Sequence, residues 1–307
     1  YTTFDRDFQH LVQEILGQRP GSIAVLEAET GRVLALATYP TFDANQVSRG
    51  ISRQEWQRLT SDASNPLLNR ATQGVYPAGS VFKIITMASG MEAAGLSAKS
   101  SFGCDGVWYG LGPDLPKACW LATGHGQIPL SKALTVSCDI TFYQVGLVLN
   151  DLDPGTLSDY ARRFGLGDRT GIEIEESPGL VPDPTWKMQS KGEGWAPGDA
   201  VNLAIGQSEL LVTPLQIAAA LAAVGNGGTL YRPALVETIS SDPNKPDWTF
   251  EPAAVGQLPV SAENLAVIQK SLYRAASTPT GTAYNAFRGM AIEVAGKTGT
   301  SESGQDE

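Results

Sequence analysis

Apolar residues at Phe8, Leu11, Val12, Ile15 and Leu16 recur at three- and four-residue steps, which predicts an opening helix over Asp5–Leu16 that stops before Gly17. Two apolar runs, Ser22–Leu26 and Arg32–Ala37, flank a short polar turn. Gly31, in Glu29-Thr30-Gly31, is the candidate for a positive φ there, so the pair predicts a β-hairpin. Residues 39–79 predict loops around one short helix near Arg53–Leu59. Ser80–Ala93 carries a strong helical pattern ended by Gly95, and further helices are predicted at 130–136, 138–150, 156–163, 214–224 and 262–276. Between Gly165 and Gly198, proline, glycine and charged residues predict a long irregular connection, and Met290–Thr300 predicts a last strand.

A hairpin first, helices next and a strand at the end imply an α+β chain. The expected division is a sheet subdomain from about 1–45 and 277–307, with a helical subdomain and the active-site helices between. At 307 residues the chain suffices for one large or two modest domains, and 42% hydrophobic with 18% charged residues is ordinary for a soluble globular protein. A net charge of −10 argues against nucleic acid and anionic lipid as partners. No run approaches the ~18 apolar residues of a membrane span, and no signal peptide is visible. The opening at Tyr1-Thr2-Thr3 reads as an excised piece, with any targeting segment expected upstream.

Chemistry enters at Ser80-Val81-Phe82-Lys83, where a predicted helix starts after Tyr76-Pro77-Ala78-Gly79. Residues three apart share a helix face, so the Ser80 hydroxyl and Lys83 amine can meet. A serine needs a base to take its proton, and a lysine serves only if its pKa falls from its ordinary value near ~10.4. Alone, this spacing reads more readily as a capping serine and a solvated lysine. Two further motifs change that reading. Ser137-Cys138-Asp139 opens another apolar helix, and Lys297-Thr298-Gly299-Thr300 lies on the predicted last strand, where an amine and two hydroxyls can hold a carboxylate. Gly299 there permits close approach of another backbone. The three motifs in this order are close to the signature of penicillin-binding proteins and β-lactamases.

The resemblance covers nearly the whole chain. Gly31-Arg32-Val33-Leu34-Ala35-Leu36-Ala37, Gly124-His125-Gly126, Phe164-Gly165-Leu166-Gly167, Ile205-Gly206-Gln207 and Val212-Thr213-Pro214-Leu215-Gln216 resemble class B penicillin-binding proteins, as do the three motifs. Ser137 through Gln144 resembles the elongation type. The resemblance implies a penicillin-binding/serine β-lactamase-like fold, with a central antiparallel sheet flanked by helices and a mostly helical subdomain. It implies a peptidoglycan D,D-transpeptidase that is acylated by β-lactams. Ser80 would attack the D-Ala-D-Ala carbonyl, Lys83 would accept its proton, and Ser137 would relay a proton to the leaving D-Ala. Lys297, Thr298 and Thr300 would bind the terminal carboxylate beside Gly299, and the Ser80 and Thr300 N–H groups would form an oxyanion hole. Stem peptides, β-lactams and a membrane glycan polymerase of the elongation machinery are the implied partners, on the extracytoplasmic membrane face with an anchor outside this chain. A β-lactam sensor domain and a serine β-lactamase remain alternatives.

The sequence departs from the family pattern in three places. Asp139 stands where most relatives have Asn, and its charge tends to raise the Lys83 pKa. Ser208 stands where glycine is commoner, and the chain ends at Glu307, so a further strand and helix are expected beyond it.

All three cysteines and one of the two histidines fall within residues 104–138: Cys104, Cys119, His125 and Cys138. Two readings stand. One is a Cys104–Cys119 disulfide with Cys138 free; the other is a structural zinc held by all four, with no catalytic duty, which accounts for the odd cysteine. No cofactor is expected for catalysis. The six tryptophans are expected to be packing residues, His10 exposed or capping, and Glu173, Glu175 and Glu176 a solvated edge.

Overall fold

The Asp5 carboxylate accepts from the Phe8 N–H and so caps the first helix, α1 (Arg6–Leu16), in a computed structural model that describes residues 1–242 and 245–300. Strands β1 (Gly21–Leu26) and β2 (Val33–Tyr39) pair antiparallel, from Gly21 opposite Tyr39 to Leu26 opposite Val33. Gly31 turns the chain between them at φ 82, and a Cβ there would lie 2.6 Å from the Arg232 carbonyl oxygen. Short helices α2 (Ala44–Arg49) and α3 (Arg53–Ser61) follow. A 3₁₀ turn at Gly79–Phe82 leads into α4 (Lys83–Glu92). Next come β3 (Ser101–Cys104), β4 (Val107–Trp108), β5 (Lys117–Ala118), β6 (Gly126–Pro129), α5 (Leu130–Thr135), α6 (Asp139–Leu152) and α7 (Thr156–Arg163). The chain continues through α8 (Pro184–Lys191), α9 (Pro197–Leu203), α10 (Pro214–Gly225), four short strands at 229–257, α11 (Ala262–Ser277) and α12 (Tyr284–Phe287).

Contacts group the chain into two units. The first holds residues 1–76, 168–179 and 212–256. Its hairpin has the two-residue period of a half-buried strand: Val33, Ala35 and Ala37 are fully buried. Val12 and Leu16 of α1 pack on Ala35 and Ala37, and the Gln9 amide bonds both the N–H and the C=O of Leu36. Val33 joins Ile172, Leu215 and Leu235 in a second cluster of the same unit. Of the acidic residues expected as a solvated edge, Glu173 and Glu175 are exposed and Glu176 is half-buried, and all three also tie down this unit's loops. Glu176 accepts from the Thr170 and Gly171 N–H groups, Glu173 from the Leu235 N–H and Glu175 from the Gln73 amide. His10 is exposed beside Glu14, as expected.

The second unit holds residues 77–167, 180–211 and those from 257 onward. In it α4, α5, α6, α7, α9 and α11 pack on one another. Residues 83–91 of α4 are all buried, so this helix is enclosed on every face, its polar Lys83, Thr86 and Ser89 included, and forms the unit's centre. Gly146 lets α6 approach α9, because a Cβ there would stand 2.7 Å from the Ala204 side chain.

The α+β class agrees with the sequence. The expected irregular stretch from Gly165 to Gly198 contains α8 and the start of α9; Asp183 caps α8 through the Trp186 N–H with Pro184 behind it, a helix start concealed among other turn-forming residues. Each sheet among the described residues has two strands. Met290–Thr300 is not a strand there, since no neighbouring strand supplies a ladder and the Gly296 N–H bonds the Leu272 carbonyl. The described part of 277–307 groups with the helical unit, whereas the sequence suggested grouping it with 1–45. No described helix is long and apolar enough to cross a membrane.

Candidate active site

Ser80 is the second residue of the turn that leads into α4, and the backbone around it is held by glycines. Gly79 has φ 54, and a Cβ on it would lie 2.3 Å from the Thr300 carbonyl oxygen. Its N–H bonds the Gly206 carbonyl at 2.9 Å, and a Cβ on Gly206 would strike the Gly79 oxygen at 2.2 Å. The loop before Ser80 is thereby gripped between the 205–207 segment and the Lys297–Thr300 segment, which explains the glycines Gly79 and Gly206.

Ser137 owes its position to a helix ending. In a Schellman turn the two residues past the cap donate back to the last helical turn. Here the Ser137 N–H reaches the Leu134 oxygen at 3.3 Å, and the Cys138 N–H reaches the Ala133 oxygen at 2.9 Å. Ser137 occupies the left-handed position, φ 56, where glycine is usual. The turn delivers its hydroxyl between two amines, Lys83 Nζ at 3.3 Å and Lys297 Nζ at 2.7 Å.

Lys83 is fully buried. Its amine donates to the Ser137 carbonyl oxygen at 2.9 Å and to Asp139 Oδ1 at 2.6 Å. Among the described residues no hydrogen bond joins it to Ser80, contrary to the contact expected from helix spacing; the carboxylate of the first residue of α6 holds the amine instead. Burial pushes the Lys83 pKa down, and Asp139 opposes that shift. Burial and the charge of Lys83 together push Lys297 down to about 7. Two amines this close cannot both keep a proton cheaply, so the pair is poised to exchange one. Asp139 Oδ2 accepts from the Trp120 N–H at 2.9 Å, which fixes the carboxylate from the other side.

Ser80, Ser137, Asp139, Thr298 and Thr300 line one cavity of about 550 Å³. Thr298 is steadied by a 2.8 Å hydrogen bond with Thr282, and a Cβ on Gly299 would meet Val81 at 3.0 Å. All eight residues expected from the three motifs therefore belong to this cavity or to the segments that wall it. Trp120, Tyr143, Ile205, Gln207 and Thr282 line it too; Tyr143, Ile205 and Gln207 fall in stretches that resemble the family, but nothing in the sequence assigned any of the five a role in the site. Trp120 in particular was expected to pack internally; it is 58% exposed. Its place directly after Cys119 was the only available signal.

The four residues singled out as metal ligands also converge. One donor atom from each of Cys104, Cys119, His125 and Cys138 lies within 4.8 Å of every other. His125 Nδ1 is 3.6 Å from Cys104 Sγ and 3.5 Å from Cys119 Sγ. Tetrahedral zinc with its usual bond lengths sets sulfur and nitrogen ligands about 3.5 Å apart, so the donor set fits such an ion. All three cysteines are free, which removes the Cys104–Cys119 disulfide. The Cys138 thiol donates to the Cys119 sulfur, holding Cys119 at about 5 and pushing Cys138 up. Tight turns make the convergence possible: a Cβ on Gly124, at φ 75, would lie 2.1 Å from the Cys104 oxygen, and one on Gly106 would lie 1.9 Å from the Ala122 oxygen.

Comparison with known proteins places these features. Residues 21–307 match the model of the penicillin binding protein transpeptidase domain. The chain is 32% identical over 305 residues to the peptidoglycan D,D-transpeptidase MrdA of Escherichia coli, covering 98% of this chain and 47% of that protein. A penicillin-binding protein from Helicobacter pylori superposes with a TM-score of 0.85 at 31% identity, covering 98% of this chain and 55% of that one. The ceftriaxone acyl-enzyme of penicillin-binding protein A from Mycobacterium tuberculosis gives 0.83 at 25% identity, covering 99% and 67%. The chain spans about half the length of the Escherichia coli relative.

Proposed function

The chain belongs to the penicillin-binding protein transpeptidase family and has its fold, and from that premise we propose that it is the acyl-transfer domain of an elongation-type peptidoglycan D,D-transpeptidase. The observation that carries the reading is the Ser137 hydroxyl set between the Lys83 and Lys297 amines on the wall of the cavity that Ser80 lines.

Ser80 Oγ attacks the carbonyl carbon of the penultimate D-Ala, and its proton passes to Lys83, whose buried amine is more easily kept neutral than a solvated one. Movement of that amine from Asp139 toward Ser80 accompanies substrate binding, since catalytic hydrogen bonds commonly tighten only in the complex. The developing oxyanion lies against the Ser80 and Thr300 N–H groups, a type of contact worth about 3 kcal/mol per donor. The peptide bond breaks as the leaving D-Ala nitrogen takes a proton through Ser137. Lys297, Thr298 and Thr300 hold the terminal carboxylate, and a β-lactam carboxylate enters by the same contacts. Gly299 keeps that segment free of a side chain where Val81 approaches.

The sulfur–imidazole cluster holds a structural zinc on this reading. Cys104, Cys119, His125 and Cys138 would bind it, and the ion would supply a rigid crosslink behind Ser137 and Asp139 with no part in acyl transfer. The stem peptide, a membrane glycan polymerase of the elongation machinery and the extracytoplasmic membrane face complete the proposal, and they rest on family membership.

Labelling with a fluorescent penicillin tests it. One covalent adduct is expected on the parent protein and none on Ser80→Ala. An unlabelled parent overturns the reading, and an adduct hydrolysed within seconds favours a β-lactamase instead.

A further inference from the structure

An acyl-enzyme that crosslinks two strands must admit two molecules in turn, and the second has to approach from the side by which the leaving D-Ala departs. Resting on the function proposed above, the question is which residues meet that second molecule. The donor's carboxylate is taken to the Lys297–Thr300 side. The cavity wall also includes Ala118, Trp120, Asp139 and Tyr143, which the Trp120 N–H to Asp139 and the Tyr143 hydroxyl to the Ala118 carbonyl oxygen join into one patch next to Ser137. Asp139 is paired with Lys83 at 2.6 Å, so the two charges cancel locally. Tyr143 is buried, so Trp120 is left as the large exposed surface of that patch.

Trp120 is both exposed and rigid. Its indole Nε1–H donates to the Val136 oxygen at 3.0 Å, its backbone N–H donates to Asp139 Oδ2 at 2.9 Å, and its ring meets His125 edge-on at 5.4 Å. With the indole N–H engaged in the protein, what the side chain offers the cavity is the ring itself. A π face, fixed in place and wet, attracts a cation and the methylenes next to it. Because the ring is already immobilised, little ordering cost is added on binding.

We propose that Trp120 is the specificity-determining wall of the acyl-acceptor subsite, and that it receives a primary amine arriving as an ammonium on an aliphatic stem. At the subsite the ammonium gives one proton to solvent. The neutral amine then attacks the carbonyl carbon of the Ser80 ester. The new C–N bond forms, the C–Oγ bond breaks, and an amine proton passes by way of Lys83 to Ser80 Oγ, which restores the hydroxyl.

The test separates acylation from transfer. The purified protein is acylated by a thioester donor in the presence of 1,5-diaminopentane or D-alanine, and the ratio of transfer to hydrolysis is read by mass spectrometry. Trp120→Ala keeps the backbone N–H to Asp139, and because its ratio is read only from protein that has already been acylated, any change in its acylation rate drops out. Its transfer ratio to the diamine is expected to fall about 5- to 30-fold, the range that a cation–π contact supports, with a smaller change for D-alanine. Trp120→Phe retains a π face and most of the diamine transfer, while Trp120→Met, similar in apolar bulk, loses it; this pair decides the matter should Trp120→Ala fold poorly. An unchanged ratio in Trp120→Met, or acylation and transfer falling in parallel in the variants, overturns the assignment to the acceptor. A parent that penicillin does not acylate instead overturns the underlying transpeptidase reading, and this inference with it.

Discussion

Two polar clusters share the turn between α5 and α6, and they are built in opposite ways. The amine cluster joins Lys83, Ser137, Asp139 and Lys297 by hydrogen bonds of 2.6–3.3 Å, drawing on distant parts of the chain. The sulfur–imidazole cluster takes Cys104, Cys119, His125 and Cys138 from one short stretch and closes them within 4.8 Å. Hydrogen-bonded amines can give up one partner for another, which a proton relay needs. A closed ligand set cannot rearrange without losing its ion, which suits a brace. The neighbours Ser137 and Cys138 belong one to each cluster, so an ion held by the second cluster would brace the residues of the first.

The sharpest way to break the contrast is to remove the central amine. Lys83→Met keeps the length and apolar stem and abolishes the base, so the rate of penicillin acylation is expected to fall about 10³-fold or more. Stopped-flow or intact-mass kinetics reads this; a variant retaining a tenth of the parent rate sinks the assignment of Lys83 as proton acceptor. Removing the brace is expected to act on stability. With zinc a thousand-fold above its Kd, chelation should lower unfolding free energy by about 4 kcal/mol. The denaturant midpoint checks this, together with elemental analysis for one zinc per chain. A midpoint indifferent to chelation would exclude a structural ion here.

A pH profile probes the amine cluster alone. Lys297 is pushed down to about 7, so it is an ammonium below that pH and increasingly neutral above it. Holding a carboxylate requires the ammonium. The second-order acylation constant for a carboxylate-bearing β-lactam, which reports the free protein, should therefore decline up to tenfold per pH unit above about 7. Lys297→Arg stays charged throughout and should move that limb upward by at least two units; a limb in the same place would mean another group titrates.

Much of this was legible in the residues. The α1 and hairpin patterns were readable because each buries one face with a regular period, and the three motifs were readable because their chemistry demands fixed residue types. The position of the lysine amines was not. Ser80 and Lys83 are three apart, yet Lys83 Nζ binds Asp139, because a buried ammonium takes a carboxylate in preference to a hydroxyl. Cysteine spacing alone left disulfide and metal undecided, since the convergence of all four donors depends on the positive-φ glycines Gly106 and Gly124, which let the backbone pack tightly around them. Helix α8 was concealed because its start signal, Asp183-Pro184, reads as a turn when its neighbours are also proline and glycine. The stretch at 290–300 failed as a strand because a strand is defined by its partner, which periodicity cannot supply.

The smallest effect distinguishes function from folding at the residue where the clusters meet. Ser137 holds φ 56 in a position that glycine fills without Cβ strain, so the side chain is kept against a local preference. Ser137→Ala and Ser137→Gly both remove the hydroxyl that Lys297 reaches at 2.7 Å, and both should lose most transpeptidation. They should part in stability. Alanine keeps the strained Cβ, whereas glycine relieves it at some cost in unfolded-state entropy, so the glycine variant is expected to be the more stable of the two by about 1 kcal/mol. Chemical denaturation of the pair measures the difference. An alanine variant as stable as the glycine one would mean that the turn relaxes once the hydroxyl is gone, and that the two amines, not the Schellman turn, hold Ser137 in its left-handed conformation.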